Sequence, residues 1–449
     1  MSKLLLTFYG DDFTGSTDAL EQLTLAGIRT ALFITPPTAK QLSHFHGLQA
    51  VGVAGMTRAL SPASMERELK PALQQLKKLG APHVHYKVCS TFDSSPKIGS
   101  IGRAIDTGAA IFHAPFVPVL AAAPALGRYT IFGTHFARYG IGSSGAIHRL
   151  DRHPSVSKHP VTPMTEADLR RHLAKQTKKR VALFDLLQLA QPGAEARSAF
   201  EELLAGKPEV VLFDAFASQH LRTIGTLLQT HASVEHPLFS VGSSGIEAAL
   251  AATWKFAGTV HDSARLAQNV APANQIFIGS GSCSPVTGGQ IEWALKRGFV
   301  EVTLDPVSLL SPNRAVPEMQ RAANSAAKQL QAGHCVILHT TKNGPTRRIK
   351  MKPGRHIAEV LGTALGTTMK AVLKNQLIPR LCIAGGDTSS YAARALGIEA
   401  LEMIAPLTPG APLCRVTAPG SPADGLEVVF KGGQVGAEDY FQIVMRGNN

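Results

Sequence analysis

An apolar run that ends at a glycine, delivers two adjacent carboxylates and restarts as a helix is the feature that most limits what this chain can fold into. Leu4-Leu5-Leu6-Thr7-Phe8-Tyr9 leads into Gly10-Asp11-Asp12-Phe13-Thr14-Gly15-Ser16-Thr17, and Asp18 to Leu23 continue at helical spacing up to Gly27. The glycine that closes so short a run argues for a buried strand rather than a helix. Strand, tight turn and helix form the unit from which open α/β sheets are built, and such sheets hold ligands at the C-terminal ends of their strands. The turn's N–H groups and the hydroxyls of Thr14, Ser16 and Thr17 suit an anion at the helix N-terminus. Asp11 and Asp12 repel a bare phosphate or carboxylate and suit sugar hydroxyls or a cation instead. An N-cap beside a solvated neighbour would account for a single Asp. A pair set between two glycines after a buried strand points to function.

The same motif returns along the chain. Strands are predicted at Arg29–Ile34, Gln49–Ala54 and His83–Val88, with a helix from Ser61 to about Gly80. Met56-Thr57-Arg58 follows the third strand and Lys87-Val88-Cys89-Ser90-Thr91-Phe92-Asp93-Ser94-Ser95-Pro96 the fourth. Successive strand ends thus carry Asp-Asp, Arg and Lys-Ser-Thr-Asp, the mixture a polyhydroxy acid needs, with Arg58 suited to grip a carboxylate. An ordinary Ser/Thr turn is the plainer account of the last loop. Cys89 has no neighbouring His to activate it and reads as a buried small residue. Further strands are expected at Ala109–His113 and Tyr129–Phe132. The glycine-rich stretch between Thr134 and Arg152 reads as a lid or substrate wall. A helix is expected from Glu166, with Thr165 as its cap and Asp168 at its third position. Strands near Val181–Phe184, Val210–Phe213 and Leu238–Val241 close the first half.

With 449 residues the chain exceeds one ordinary core, so two domains are expected: 1–256, a linker at 257–273 where periodicity fades, and 274–449. Hydrophobic content of 44% with 17% charge excludes a disordered chain. The net charge of +13 is scattered, with no basic block longer than Lys178-Lys179-Arg180 and few aromatics, which favours small anionic substrates over nucleic acid. Five cysteines without a CxxC pair fit reduced thiols in the cytoplasm and argue against zinc. The scattered histidines lack metal-ligand spacing. Met1-Ser2-Lys3 runs straight into the first strand, so no signal peptide is expected, and no apolar run is long enough to span a membrane.

The second half repeats the style of the first. Gln275–Ile278 leads into Gly279-Ser280-Gly281-Ser282-Cys283-Ser284, and Cys335–Leu338 into His339-Thr340-Thr341. A long helix is predicted from about Ile357 to Gln376. Arg380–Ala384 then leads into Gly385-Gly386-Asp387-Thr388-Ser389-Ser390, and Val428–Phe430 into Lys431-Gly432-Gly433-Gln434-Val435-Gly436. No GKS or GKT is present, and Gly279-Ser280-Gly281 lacks the third glycine of a dinucleotide fingerprint. Gly385-Gly386 permits close backbone approach, Asp387 can hold a cation through water, and Thr388 to Ser390 open a helix towards an anion. Three glycine-rich strand ends in one domain read as a cradle for nucleotide phosphates.

Taken together, Tyr9-Gly10-Asp11-Asp12-Phe13-Thr14-Gly15, Tyr86 to Ser94, His159-Pro160-Val161-Thr162-Pro163-Met164, Gly385-Gly386-Asp387-Thr388-Ser389 and Lys431 to Gly436 resemble the motifs of the four-carbon acid sugar kinase family across essentially the whole chain. The resemblance implies an α/β protein of two domains, each a mostly parallel sheet flanked by helices, with the active site in the interdomain cleft. It implies phosphorylation of threonate, erythronate, 3-oxo-tetronate or a branched relative such as 3-oxo-isoapionate, with ATP and Mg2+. Asp11, Asp12, Arg58, Lys87, Val88, Cys89 and Ser90 are the expected acid-binding residues. Ser280, Ser282, Gly385, Gly386, Asp387, Thr388, Gly432 and Gly433 are expected to bind ATP. Asp12 and Asp387 are the expected catalytic groups, with Asp387 also holding the metal. The family more often has Glu where this chain has Asp387. Expected partners are the small-molecule sugar acid and ATP, with a homodimer as the expected assembly and neither nucleic acid nor membrane. A dinucleotide-dependent oxidoreductase would also explain repeated α/β units, and a non-catalytic sugar-acid sensor would explain the first half alone.

Overall fold

Leu6–Gly10 is buried along its whole length and lies between Ala50–Ala54 and His83–Lys87, parallel to both. A strand covered on both faces has no solvent side to alternate with, which is why its sequence is a continuous apolar run. The computed structural model describes residues 3–139, 145–159, 161–260, 270–341 and 357–447. It divides into one unit of Met1–Ala31 with Thr35–Ala264 and a second of Leu32–Ile34 with Arg265–Asn449.

In the first unit the strand order is Ala50–Ala54, Leu6–Gly10, His83–Lys87, Leu238–Gly242, Val117–Leu120, Val210–Phe213 and Val181–Phe184, parallel throughout. All these strands therefore end on the same edge, which places the turns after Gly10, Ala54, Lys87 and Gly242 side by side. Flanking helices are set by their caps. Ser61 accepts from the N–H of Ser64 and Pro62 takes the first position of the helix Pro62–Lys78. That helix buries Met65, Leu69, Ala72, Leu73 and Leu76 in a core shared with Val84, Tyr86 and Val241. Arg128–Ile131, Thr134–Arg138 and Ile147–Arg149 form a separate antiparallel sheet.

In the second unit Val300–Thr303, Val336–His339, Ile276–Ser280, Arg380–Ala384 and Glu427–Lys431 lie in that order, all parallel. Ala411–Thr417 and Ala400–Thr408 extend this sheet as an antiparallel pair. Leu32 and Phe33 pair with Leu401 and Ala400, which is why that short stretch groups with the second unit.

Three sequence expectations are corrected. Ala109–His113 is the end of the helix Ile101–Phe112, not a strand; Ser100 caps it and Ile101, Ala104, Ile105, Gly108 and Phe112 share its buried side. The apolar stretch there follows helical spacing, and the next strand is Val117–Leu120. The helix expected from Glu166 begins at Leu169, because Asp168 accepts from the N–H of Arg170 while Glu166 accepts from the N–H of Asp168. Much of the stretch expected as a loop between Thr134 and Arg152 is strand, with 140–144 outside the described residues. Most of the predicted linker, 261–269, also lies outside them. Among the described residues no helix is long and apolar enough to cross a membrane.

Candidate active site

The first strand end builds a charged cluster from buried parts. Asp12 is the N-cap of the helix Phe13–Leu25: its Oδ1 accepts from the N–H of Gly15 at 2.7 Å and its Oδ2 from the Thr14 hydroxyl at 2.9 Å. Gly15 is needed there, since a Cβ would run into Asp12 Oδ1. Asp11 is fixed through its backbone, its N–H donating to Lys87 O at 2.8 Å and its carbonyl accepting from the N–H of Arg58 at 3.1 Å. These two bonds tie together the ends of three adjacent strands.

Arg58 spans both carboxylates. Its Nη2 lies 3.0 Å and its Nε 3.3 Å from the two oxygens of Asp11, and its Nη1 lies 2.9 Å from Asp12 Oδ2. Sequence reasoning gave Arg58 to a substrate carboxylate; in the structure its guanidinium is committed to the chain's own carboxylates. Burial raises the Asp11 carboxyl to about 6, with Arg58 pulling down and Asp12 pushing up. Burial also works against the charge on Arg58, but Asp11 and Asp12 outweigh it and hold its pKa well above the usual value.

Lys87 is fully buried at the end of its strand. Its Nζ lies 3.2 Å from Asp18 Oδ2 and donates to Val88 O at 3.0 Å. Burial opposes its charge, while Asp18 and Glu247 outweigh that and keep it raised. Beneath it, His85 Nδ1 and Glu247 Oε1 are 2.6 Å apart with both side chains buried. Val88 donates its N–H to Gly242 O, and the Ser90 carbonyl accepts from or faces His135 Nε2 at 2.9 Å. The Cys89 thiol is 3.0 Å from Thr91 Oγ1, and burial pushes it up to about 11, so it is no nucleophile at neutral pH. Asp11, Asp12, Arg58 and Lys87 to Ser90 are thus brought to one sheet edge. Sequence reasoning missed Asp18 and Glu247, which come from helices; only the tertiary pairing with Lys87 marks them.

The second unit gathers its glycine turns in the same way. Gly281 donates to Ala384 O and Gly385 to Lys431 O, each at 3.0 Å, linking the ends of Ile276–Ser280, Arg380–Ala384 and Glu427–Lys431. A Cβ on Gly281 would lie 2.6 Å from Thr388 Oγ1, and one on Gly433 would lie 2.9 Å from Ser282 Oγ. Gly385 has φ +134°, which an L side chain rarely adopts. Ser280, Ser282, Gly385, Thr388 and Gly433 therefore converge at one place. Two helices begin there, Pro285–Leu295 capped by Ser284 and Gly386–Leu396. The Thr388 hydroxyl is buried without a hydrogen-bond partner. Two helix N-termini, an unpartnered hydroxyl and no room for a Cβ at Gly281 or Gly385 fit a phosphate chain. Burial lowers the nearby Lys431 ammonium to about 8, and its Nζ donates to Thr287 Oγ1 at 3.0 Å. Asp387 lies in the first turn of its helix, but its side chain is outside the described residues. Among the described residues no group of three His, Cys, Asp or Glu could hold a metal ion.

Comparison with known proteins follows the same division. Residues 6–250 match the family described as sugar-binding N-terminal domain, and residues 277–441 the family described as nucleotide-binding C-terminal domain. A 3-oxo-isoapionate kinase of Paraburkholderia graminis is 42% identical over 99% of this chain and 94% of its own length. A 3-oxo-tetronate kinase of Pseudomonas savastanoi is 29% identical over 97% and 96%. A solved structure from Salmonella typhimurium, described as a putative tRNA synthase, aligns with TM-score 0.77 and 25% identity over 99% of both chains. With both domains matched in order and kinases aligned over nearly the full length, the chain belongs to the four-carbon acid sugar kinase family.

Proposed function

We propose that this sugar-acid kinase transfers the γ-phosphoryl group of Mg-ATP to a hydroxyl of 3-oxo-isoapionate or a close four-carbon or branched 3-oxo acid. The observation that carries the choice of acid is the 42% identity over 99% of the chain with a 3-oxo-isoapionate kinase, against 29% for a 3-oxo-tetronate kinase. The sugar acid is assigned to the N-terminal domain and the nucleotide to the C-terminal one, in keeping with the two family descriptions.

In this reading Asp11 and Asp12 accept from sugar hydroxyls, while Arg58 holds both carboxylates in place. One of the pair receives the proton of the attacking hydroxyl. Asp12 is held by the helix cap, and Asp11, with its carboxyl raised to about 6, is the better matched to take up a proton near neutrality. Lys87, Val88, Cys89 and Ser90 line the acid through backbone groups and the Ser90 hydroxyl. Ser280, Ser282, Gly385, Gly386, Thr388, Gly432 and Gly433 cradle the phosphates, and Asp387 would hold Mg2+. Magnesium, when bound, offsets charge on the β- and γ-phosphates. Five free cysteines are in keeping with a cytoplasmic setting.

An oxidoreductase would need a stronger dinucleotide turn than Gly279-Ser280-Gly281, and a sensor would leave the second glycine cradle without use. The deciding experiment is a coupled ADP-release screen over aldonic and 3-oxo-aldonic acids, with NAD reduction followed in parallel. ATP-dependent turnover of 3-oxo-isoapionate ahead of threonate is the expected result. Turnover of none of the acids, or acid-dependent NAD reduction, overturns the reading.

A further inference from the structure

Arg128 is a buried cation that the described residues leave without a carboxylate. Only 6% of the residue is exposed, and its Nη1 donates to the carbonyls of Leu126, Gly127 and Arg138. Its Nε is buried with no hydrogen-bond partner. A buried guanidinium satisfied at Nη1 by neutral carbonyls and unpartnered at Nε is costly unless something anionic completes it.

The strand that carries it says where that bare side faces. Arg128 and Thr130 are two residues apart and share the buried face of Arg128–Ile131. The Thr130 hydroxyl is 2.8 Å from His135 Nδ1, and His135 Nε2 is 2.9 Å from the Ser90 carbonyl. This face is therefore docked on the loop Cys89–Asp93. In that loop Asp93 is 8% exposed, its Oδ2 accepts from the Thr91 hydroxyl at 2.9 Å, and its Oδ1 is buried without a partner. Burial lowers the Arg128 pKa and the Asp93 carboxylate acts against that, yet the two side chains make no ion pair. Cys89 opens that loop two residues after Lys87, so the face carrying Arg128 packs on the loop that also carries Lys87 to Ser90.

We propose that Arg128 and Asp93 form the acid-end subsite of the sugar-acid site, with Arg128 Nε donating to the substrate carboxylate and Asp93 Oδ1 accepting from the hydroxyl beside it. This rests on the reading that the N-terminal domain holds the sugar acid. An unpaired buried donor and an unpaired buried acceptor on facing elements are the complement of an α-hydroxy acid. The arrangement also frees Arg58 for the carboxylates it already holds.

The test compares 3-oxo-isoapionate with its neutral counterpart bearing CH2OH in place of the carboxylate. Arg128→Gln should weaken acid binding on the order of 30-fold and leave the neutral compound and ATP nearly unchanged. Arg128→Lys, which keeps the charge, covers the case in which the Gln variant does not fold; it should still raise the acid's KM about tenfold while sparing kcat. Asp93→Asn should weaken both compounds alike, because both keep the hydroxyl. A folded Arg128→Lys or Arg128→Gln protein that prefers the acid by the full wild-type margin overturns the proposal while leaving the kinase reading intact. Wild-type protein that binds neither compound overturns the kinase reading and this proposal with it.

Discussion

Asp11 stands just past the end of the buried strand Leu6–Gly10, with Arg58 across both of its carboxylate oxygens. Burial lifts its carboxyl to about 6, with Arg58 opposing. If ionised Asp11 receives the proton, kcat/KM falls about tenfold per pH unit below about 6. Asp11→Asn should lower the rate and flatten that limb; a pH profile of the variant with the limb intact would assign it to another group. Asp387 is argued on chemistry alone. Asp387→Ala should cut turnover at least about tenfold, or raise the ATP requirement to match, with acid affinity unchanged by calorimetry. Loss of acid affinity with normal nucleotide binding would place Asp387 in the wrong half of the reaction.

The helix Phe13–Leu25 makes structure and function separable, because Asp12 serves both as its cap and as a charged partner of Arg58. Asn caps a helix as well as Asp does, whereas Ala costs about 0.5–2 kcal/mol. Asp12→Asn should therefore lose most activity with a smaller fall in melting temperature than Asp12→Ala. An Asp12→Asn protein as active as the wild type, with only Asp12→Ala destabilised, would mean that the cap, not the charge, is what the position supplies. Elements were legible where their periodicity was unmixed, as in Leu6–Gly10 and Pro62–Lys78. Ile101–Phe112 misled because Ala109-Ala110-Ile111-Phe112 is an apolar run of strand length, and only its burial pattern over three turns reveals the helix. The antiparallel hairpin of Ala400–Thr408 and Ala411–Thr417 was not foreseen; its bulges between Met403 and Thr408 break the alternation a strand search relies on.

At the scale of the whole molecule, buried histidines make the first unit the acid-sensitive one. Burial lowers His83, His135 and His172 to about 4 each. These rings stay neutral in the folded chain but take up protons near 6.5 once unfolded, so stability is full above about 6.5 and is lost as pH falls towards about 4. Each ring contributes at most about 1.4 kcal/mol per pH unit in that window. Asp11 works the other way, since its raised pKa favours the folded state below about 6 and costs stability above it. Urea midpoints at pH 7.5, 6 and 5 should fall in that order, with hydrogen exchange rising first around His83 and His135, and His83→Gln should flatten the slope. Midpoints that do not change with pH would show that these rings are already protonated when folded. By itself the sequence determined the α/β class and the strand ends that carry Asp11, Arg58, Lys87 and the glycine turns. Those features are local, because a buried parallel strand must be apolar, its turn must be small, and its helix must be capped. Only the tertiary structure decided that Arg58 pairs with Asp11 and Asp12, that Asp18 sits by Lys87, and that the strand of Arg128 packs on the loop of Asp93. Each of those relations joins residues from different elements, and the charge left unpaired at the end depends on which partners the packing has already used.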